Sequence, residues 1–275
     1  MTKYKPLERL REILARHKRL AIAVSGGVDS LTLAHVAHDL IDVRILHAVS
    51  PAVPPVATAR VADHGRRFGW DVRMIEAREF EDPQYLRNPA NRCFFCKSNL
   101  YARISAFTDW QIASGANLDD LSDYRPGLVA AKDHGVVHPF VEAEISKKDL
   151  RQIASERGLA DIAELPAQPC LASRISTGIP VTAEDLAFVD SVEAEVRGFS
   201  PSAEGVRCRI LNDGVVLELA GVRQSEWEEL GRIVGERASV SGRDFLGVRP
   251  YSRGSAFERS AEDSFLSSFA TDSGV

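Results

Sequence analysis

The apolar run Leu20-Ala21-Ile22-Ala23-Val24 breaks directly into Ser25-Gly26-Gly27-Val28-Asp29-Ser30, and residues 31–40 continue with helical texture. A short buried strand, a glycine turn and a helix in immediate succession favour a parallel α/β arrangement. The paired glycines let the backbone approach an anion closely. Ser25 and Ser30 add hydroxyls, and the helix start supplies unpaired N–H groups and a positive dipole end. Such a turn is built to hold phosphate. It lacks the spacing and the lysine of Gly-x-x-x-x-Gly-Lys-Ser/Thr, which argues against transfer of a terminal phosphate, and it is not Gly-x-Gly-x-x-Gly. Ser25, Gly26, Gly27 and Ser30 are therefore the candidate phosphate contacts. Asp29 carries the wrong charge for a phosphate ligand, so it either holds Mg²⁺ or fixes the loop.

Alternation continues through the first 160 or so residues. Strands are expected at 20–24, 43–49, 71–76, 111–114 and 136–138, and helices at 57–68, 97–107 and 146–157, the last with Ser146 and Asp149 in capping-box spacing. The expected fold class is α/β: a parallel sheet with helices on both faces and ligands at the C-terminal strand ends. Residues 3–19 read as an amphipathic docking helix with Leu7, Leu10 and Leu14 on one face. From Leu165 the texture changes. Pro166, Pro169, Gly178 and Pro180 punctuate a linker, followed by a helix at 182–196 and a hairpin of 206–211 and 215–219 about Asn212-Asp213-Gly214. Ser225 and Glu228 are expected to cap a last helix ending near Arg237. This divides the chain into residues 1–170, a small α+β domain at 178–253, and a Ser- and Ala-rich tail at 254–275 expected to be poorly ordered.

A length of 275 residues suits two domains. The net charge of −5 argues against a nucleic-acid partner, which normally meets a basic face. No apolar run approaches the ~20 residues of a membrane span. Four cysteines without a dense even pattern read as cytoplasmic thiols or metal ligands rather than a secreted disulfide scaffold.

Cys93 and Cys96 form a Cys-x-x-Cys in Asn91-Arg92-Cys93-Phe94-Phe95-Cys96-Lys97, and Cys170 follows much later in Pro169-Cys170-Leu171-Ala172-Ser173-Arg174. The pair alone allows a redox dithiol, half a zinc site, part of an iron–sulfur site, or two buried small thiols. A zinc ribbon needs a second ligand pair, and none is found at suitable spacing. Three thiolates suit a [4Fe–4S] cluster with one iron left open. Arg92 and Lys97 beside the pair, and Arg174 near Cys170, are expected to favour thiolate. Cys208 alternates with Arg207 and Arg209 and reads as core packing.

The hexapeptide 25–30 resembles the signature of the PP-loop ATP pyrophosphatases. The further segments Gly115-Ala116-Asn117-Leu118-Asp119-Asp120, Asp123-Tyr124-Arg125-Pro126-Gly127 and Pro169-Cys170-Leu171-Ala172-Ser173-Arg174, with Gly178 after them, are in this order similar to the LarE family. These are ATP-dependent sulfur transferases that make the nickel-pincer nucleotide cofactor of lactate racemase. The resemblance covers roughly residues 10–250. It implies cleavage of ATP to AMP and pyrophosphate with Mg²⁺, adenylation of a carboxylate of pyridinium-3,5-dicarboxylic acid mononucleotide, and displacement of AMP by sulfur. Some members sacrifice the sulfur of one cysteine, at the position of Cys170. Others hold a [4Fe–4S] cluster on three, and Cys93, Cys96 and Cys170 resemble that kind, with a sulfide donor as a further partner.

The resemblance also extends nucleotide binding to Gly115, Asp120 and Arg125, with Asp120 and Asp123 as candidates to assist magnesium. Catalysis falls to Cys93, Cys96, Cys170 and Asp29. Arg207 and Arg209 lie two apart on one strand and so share a face, a pairing suited to the substrate phosphate. Glu193 and Glu218 are further candidates for metal or assembly contacts. The sequence leaves open whether the chain forms a homo-oligomer. Three rivals remain: a tRNA thiolase, an amide-forming synthetase of the NAD or GMP synthetase type, and a non-catalytic nucleotide-binding iron–sulfur protein.

Overall fold

A computed structural model describes residues 5–122 and 125–251. The 254–275 tail lies outside the described residues. Contacts divide the chain into two units: residues 1–85 with 91–170, and residues 86–90 with 171 onward.

The first unit begins with helix α1 (Pro6–Leu14), whose Leu10, Ile13 and Leu14 are buried. It continues through β1 (Arg19–Ala23), α2 (Val28–His38), β2 (Asp42–Val49), α3 (Pro55–Phe68), β3 (Val72–Glu76) and the single turn α4 (Pro83–Leu86). Next come α5 (Arg92–Phe107), β4 (Ile112–Ser114), α6 (Pro126–Asp133), the short α7 (Pro139–Glu142), α8 (Lys147–Glu156) and α9 (Ala160–Ala163). The strands form one sheet in the order β3-β2-β1-β4, with every pairing parallel. Because side chains alternate along a strand, Leu20 and Ile22 of β1 enter one core with α1, α2 and α8, while Ala21 enters another with Leu100, Tyr101 and Ile104 of α5. The expected parallel sheet covered on both faces is what forms. Burying each of these large side chains contributes about 1.5–3 kcal/mol.

The expected strand at 136–138 reduces to a single parallel bridge, Ala113↔Val137, because Pro139 starts α7 at once. The capping box at Ser146 is complete: its hydroxyl accepts from the Asp149 N–H and the Asp149 carboxylate accepts from the Ser146 N–H. Helix α5 starts five residues before the expected position, so the Cys-x-x-Cys lies in its first turns.

The second unit packs α10 (Ala183–Phe199) against β5 (Gly205–Leu211), then adds β6 (Gly214–Ala220), α11 (Trp227–Val240) and β7 (Phe245–Pro250). Strands β5 and β6 pair antiparallel about the expected Asn-Asp-Gly turn, and β7 adds to β6 in parallel. The expected Ser225 cap is absent: Ser225 sits in a 3₁₀ turn and Glu226 precedes the helix without a side-chain bond. The inserted segment 86–90 is tied into this unit by Asn88, at φ 54°, whose amide donates to the carbonyls of Ser176 (2.8 Å) and Ile179 (2.9 Å). No helix among the described residues is long and apolar enough to cross a membrane.

Candidate functional site

At the C-terminal end of β1 the chain turns through Ser25–Gly27 into α2, with Gly27 as N-cap. The first intrahelical bond runs from Leu31 N–H to the Gly27 carbonyl at 3.1 Å, so the N–H groups of Val28, Asp29 and Ser30 have no intrahelical partner. Gly26 has φ +82°, and a Cβ there would stand 2.7 Å from the Ala57 carbonyl oxygen. Glycine is obligatory at that position. Gly27 has no such constraint from the protein, since its Cβ would meet only Ser25 Oγ at 3.6 Å; the space a side chain would fill lies over the helix start. That open cradle fits a bound phosphate.

Ser30 is buried and braces the turn, accepting from the Ser25 N–H at 3.1 Å and donating to the Gly27 carbonyl at 3.2 Å. Ser25 is exposed. His47, which sequence reading passed over, anchors the strand end beside the loop. Its Nδ1–H donates to the Val24 carbonyl at 2.8 Å, and its Nε2 accepts from the Thr58 hydroxyl at 2.9 Å. Burial lowers its pKa and so keeps the ring neutral in this tautomer.

Asp29 is held by Lys147, whose Nζ lies 2.6 Å from both carboxylate oxygens, and by the Asn117 amide at 3.3 Å. Lys147 was not visible as a site residue because only the fold brings the start of α8 to the start of α2. Asp120 accepts from the Asn117 N–H at 3.1 Å and pairs with Arg125 at 3.0 Å. The fold thus gathers Asp29, Asp120 and Arg125 about Asn117, next to the phosphate loop. Asp123 lies outside the described residues. Gly115 joins them by close approach: a Cβ there would stand 2.8 Å from Ser30 N and 2.9 Å from the Asp29 carbonyl carbon. Gly115→Ala is expected to destabilise the chain by about 1–3 kcal/mol through overpacking against backbone. A thermal melt matching wild type would show that the helix start can yield.

Cys93 and Cys96 lie three apart, on one face of the first turns of α5. Cys170 ends the same unit, and its charge acts on both. For Cys93 and Cys96 the expected thiolate character is overturned. Burial outweighs the neighbouring Arg92, Lys97 and Arg125, so the Cys93 thiol is raised and Cys96 is pushed up to about 12. Cys93 is nevertheless exposed to solvent. Burial works against the Lys97 ammonium, but Tyr101 and the three cysteines hold its pKa above the ordinary value. Two buried polar atoms here, the Tyr85 hydroxyl and Glu79 Oε2, have no hydrogen-bond partner among the described residues, and both residues interact electrostatically with Cys96. Among the described residues no three His, Cys, Asp or Glu side chains are gathered so as to hold a metal ion.

In the second unit the register sets Arg207 opposite Glu218. Glu218, fully buried, takes Arg209 Nε at 2.8 Å and Arg249 Nη2 at 2.8 Å, and Arg209 also donates to the Ser173 carbonyl at 2.8 Å. Arg209 is thereby committed inward, and Arg207 is the better exposed of the expected phosphate pair. Glu193 accepts from Arg174 (2.8 and 2.9 Å), from Arg197 (3.0 Å) and from the Cys208 N–H (3.1 Å). Both glutamates serve as internal counter-charges. Cys208 is buried, as its alternation required.

A parallel sheet flanked by helices, with its first strand ending in this glycine turn, is consistent with a PP-loop-like fold. No family model matches the chain. It is 39% identical over 197 residues to slr1717, an uncharacterized protein of Synechocystis sp., covering 70% of this chain and 73% of that protein. It is 26% identical to the pyridinium-3,5-bisthiocarboxylic acid mononucleotide synthase of Lactiplantibacillus plantarum, covering 75% and 76%. It is 31% identical to a tRNA-cytidine(32) 2-sulfurtransferase of Syntrophotalea carbinolica, covering 55% and 66%. The chain belongs to one family with slr1717, and the other two similarities support a PP-loop sulfurtransferase family.

Proposed function

We propose that the chain is an ATP-dependent sulfur transferase that converts a carboxylate of a small phosphorylated pyridinium compound into a thiocarboxylate. One observation carries this reading: the phosphate loop and Cys93, Cys96 and Cys170 occur in a single unit. A carboxylate is a poor electrophile. Attack of its oxygen on the α-phosphorus of ATP breaks the bond to pyrophosphate and gives an acyl adenylate. Hydrosulfide then attacks the acyl carbon, the carbon–oxygen bond to AMP breaks, and the thiocarboxylate is released.

The loop N–H groups of Gly27 to Ser30 bind the departing pyrophosphate, and Ser25 donates from its exposed position. Asp29, paired with Lys147 in this structure, would hold the Mg²⁺ that accompanies ATP, and the Lys147 ammonium would then be available to a phosphate oxygen. Asp120 stands near as a further carboxylate for the cation. Cys93, Cys96 and Cys170 would hold a [4Fe–4S] cluster, which supplies an open iron for a transferable sulfide. Tyr85 keeps its proton, since burial raises its pKa further, so its hydroxyl can serve as a donor toward sulfur. Arg207 binds the substrate phosphate.

Incubation with ATP, Mg²⁺ and the pyridinium dicarboxylate mononucleotide is expected to yield AMP and pyrophosphate. Lys147→Met should slow AMP formation about 10²–10³-fold, the usual effect of losing one preorganised charge at a transition state. Formation of ADP and phosphate instead would exclude the reading. The 31% identity to the tRNA sulfurtransferase supports tRNA thiolation as a second reading. The net charge of −5 weighs against it, and AMP formation stimulated by tRNA but not by the mononucleotide would favour it.

A further inference from the structure

Arg60 of α3 makes two hydrogen bonds through one nitrogen. Its Nη1 donates to the Gly26 carbonyl at 2.7 Å and to Gln168 Oε1 at 3.0 Å. All three residues belong to the first unit. The first bond acts on the phosphate loop itself. A trans peptide is planar, with its C=O and N–H pointing opposite ways. Holding the Gly26 oxygen toward Arg60 therefore turns the Gly27 N–H to the other side of the loop, over the cradle that Gly27 leaves open. Glycine at φ +82° on one side of this peptide allows it to rotate easily, so its orientation needs a fixed partner. The second bond reaches the arm Gln168-Pro169-Cys170. Pro166 and Pro169 stiffen that arm, and a single residue, Pro169, separates the tether from Cys170.

We infer that Arg60 is a positioning residue that links the orientation of the Gly26–Gly27 peptide to the placement of Cys170, so that nucleotide at the loop is felt at the sulfur-handling arm. The inference rests on the ATP-dependent sulfur transfer proposed above. Its physical content is simple. An anion drawing on the Gly27 N–H turns the shared peptide, the Gly26 oxygen shifts relative to Arg60, and the guanidinium redistributes its donation between Gly26 and Gln168. Cys170 then changes position only when the loop is filled. Such an order is useful to this chemistry, because sulfur should be presented after the carboxylate is activated and not before.

The test uses the full chain with α,β-methylene-ATP and Mg²⁺, a pair that binds without being cleaved. Affinity is read by calorimetry, and amide hydrogen exchange is followed in peptides covering residues 165–171. In the wild type, nucleotide is expected to change exchange in this segment at least threefold, a shift of the size a single hydrogen bond produces, by order of magnitude. Arg60→Ala should weaken nucleotide binding about tenfold, the loss expected for one charged hydrogen bond. Arg60→Lys, which retains one donor, should bind within about threefold of wild type yet lose the exchange response, because an ammonium on a flexible stem cannot hold both acceptors in one plane. Gln168→Ala should keep wild-type affinity and also lose the response. Unaltered affinity in Arg60→Ala, or a wild-type exchange response in Gln168→Ala, would overturn the link. If Arg60→Ala does not fold, Arg60→Lys and Gln168→Ala decide alone. A wild-type chain that binds no nucleotide would refute the ATP reading itself, and that outcome is distinct from failure of the coupling.

Discussion

Replacing Cys93 or Cys96 by alanine is expected to abolish sulfur transfer while leaving AMP formation in place. The phosphate loop, Asp29 and Lys147 come from β1, α2 and α8, whereas the thiol pair comes from α5, so the two half-reactions draw on different elements. Anaerobically reconstituted wild-type protein should be brown and turn over repeatedly when sulfide is supplied, because a cluster ligated by three thiols can be recharged. The single variants should be colourless. Burial raises the metal-free Cys93 thiol and pushes Cys96 up to about 12, so this pair is a poor nucleophile until a metal displaces its protons. A colourless wild type that stays active through both substitutions would reject the cluster. If intact mass then shows Cys170 converted to dehydroalanine after one turnover, the sacrificial route takes its place.

Arg209→Ala should be the most damaging substitution in the second unit, costing about 3–5 kcal/mol, because it strips a buried carboxylate of one counter-charge. The half-exposed Arg249 would remain bonded to Glu218, but the buried Arg209 would be gone. For a unit of this size each kcal/mol moves the midpoint by roughly 4–8 °C, so calorimetry should show a large fall in the melting of this unit. A shift of only a degree or two would mean that water re-solvates the carboxylate. The neighbouring Glu193 adds a pH signature. Burial alone would raise its pKa, but the Arg174 hydrogen bonds, with Arg174, Arg197 and Arg207 nearby, hold it below the ordinary value. The stability it contributes is therefore complete above the unfolded glutamate value of ~4.3 and is lost as pH falls through the lower folded value. Melting of wild type should decline with acidification in that window, and the decline should be shallower in Glu193→Gln.

The strand-turn-helix at 20–40 was legible because apolar continuity, two glycines and a helical texture coincide within twenty residues. The hairpin was legible through its Asn-Asp-Gly turn. Strand β7 was not, since Gly247 and Pro250 interrupt a stretch with no regular alternation, and a register shift beside Val215 is needed to accommodate it. The acidic part of the site was half visible. Asp29 and Asp120 stood out in their motifs, but Lys147 is 118 positions from its partner and looks like any lysine opening a helix. Arg207 and Arg209 were correctly placed on one face. Their difference in burial depends on Glu218 of the next strand, reached diagonally by Arg209, and one strand read alone does not contain that information.

Asn88 bears on modularity. The five residues 86–90 interrupt the first unit in sequence yet belong to the second, and their bonds go to carbonyls near 175–179. A gene fragment ending at residue 170 would encode a buried amide without its acceptors, and one beginning at 171 would encode the acceptors without the amide. Neither half is therefore a portable cassette. Recombination could exchange whole copies of this architecture or vary its surface loops, but a clean graft of one half onto a foreign partner would have to carry the five-residue loop as well. The polypeptide is threaded so that its two units are inherited together.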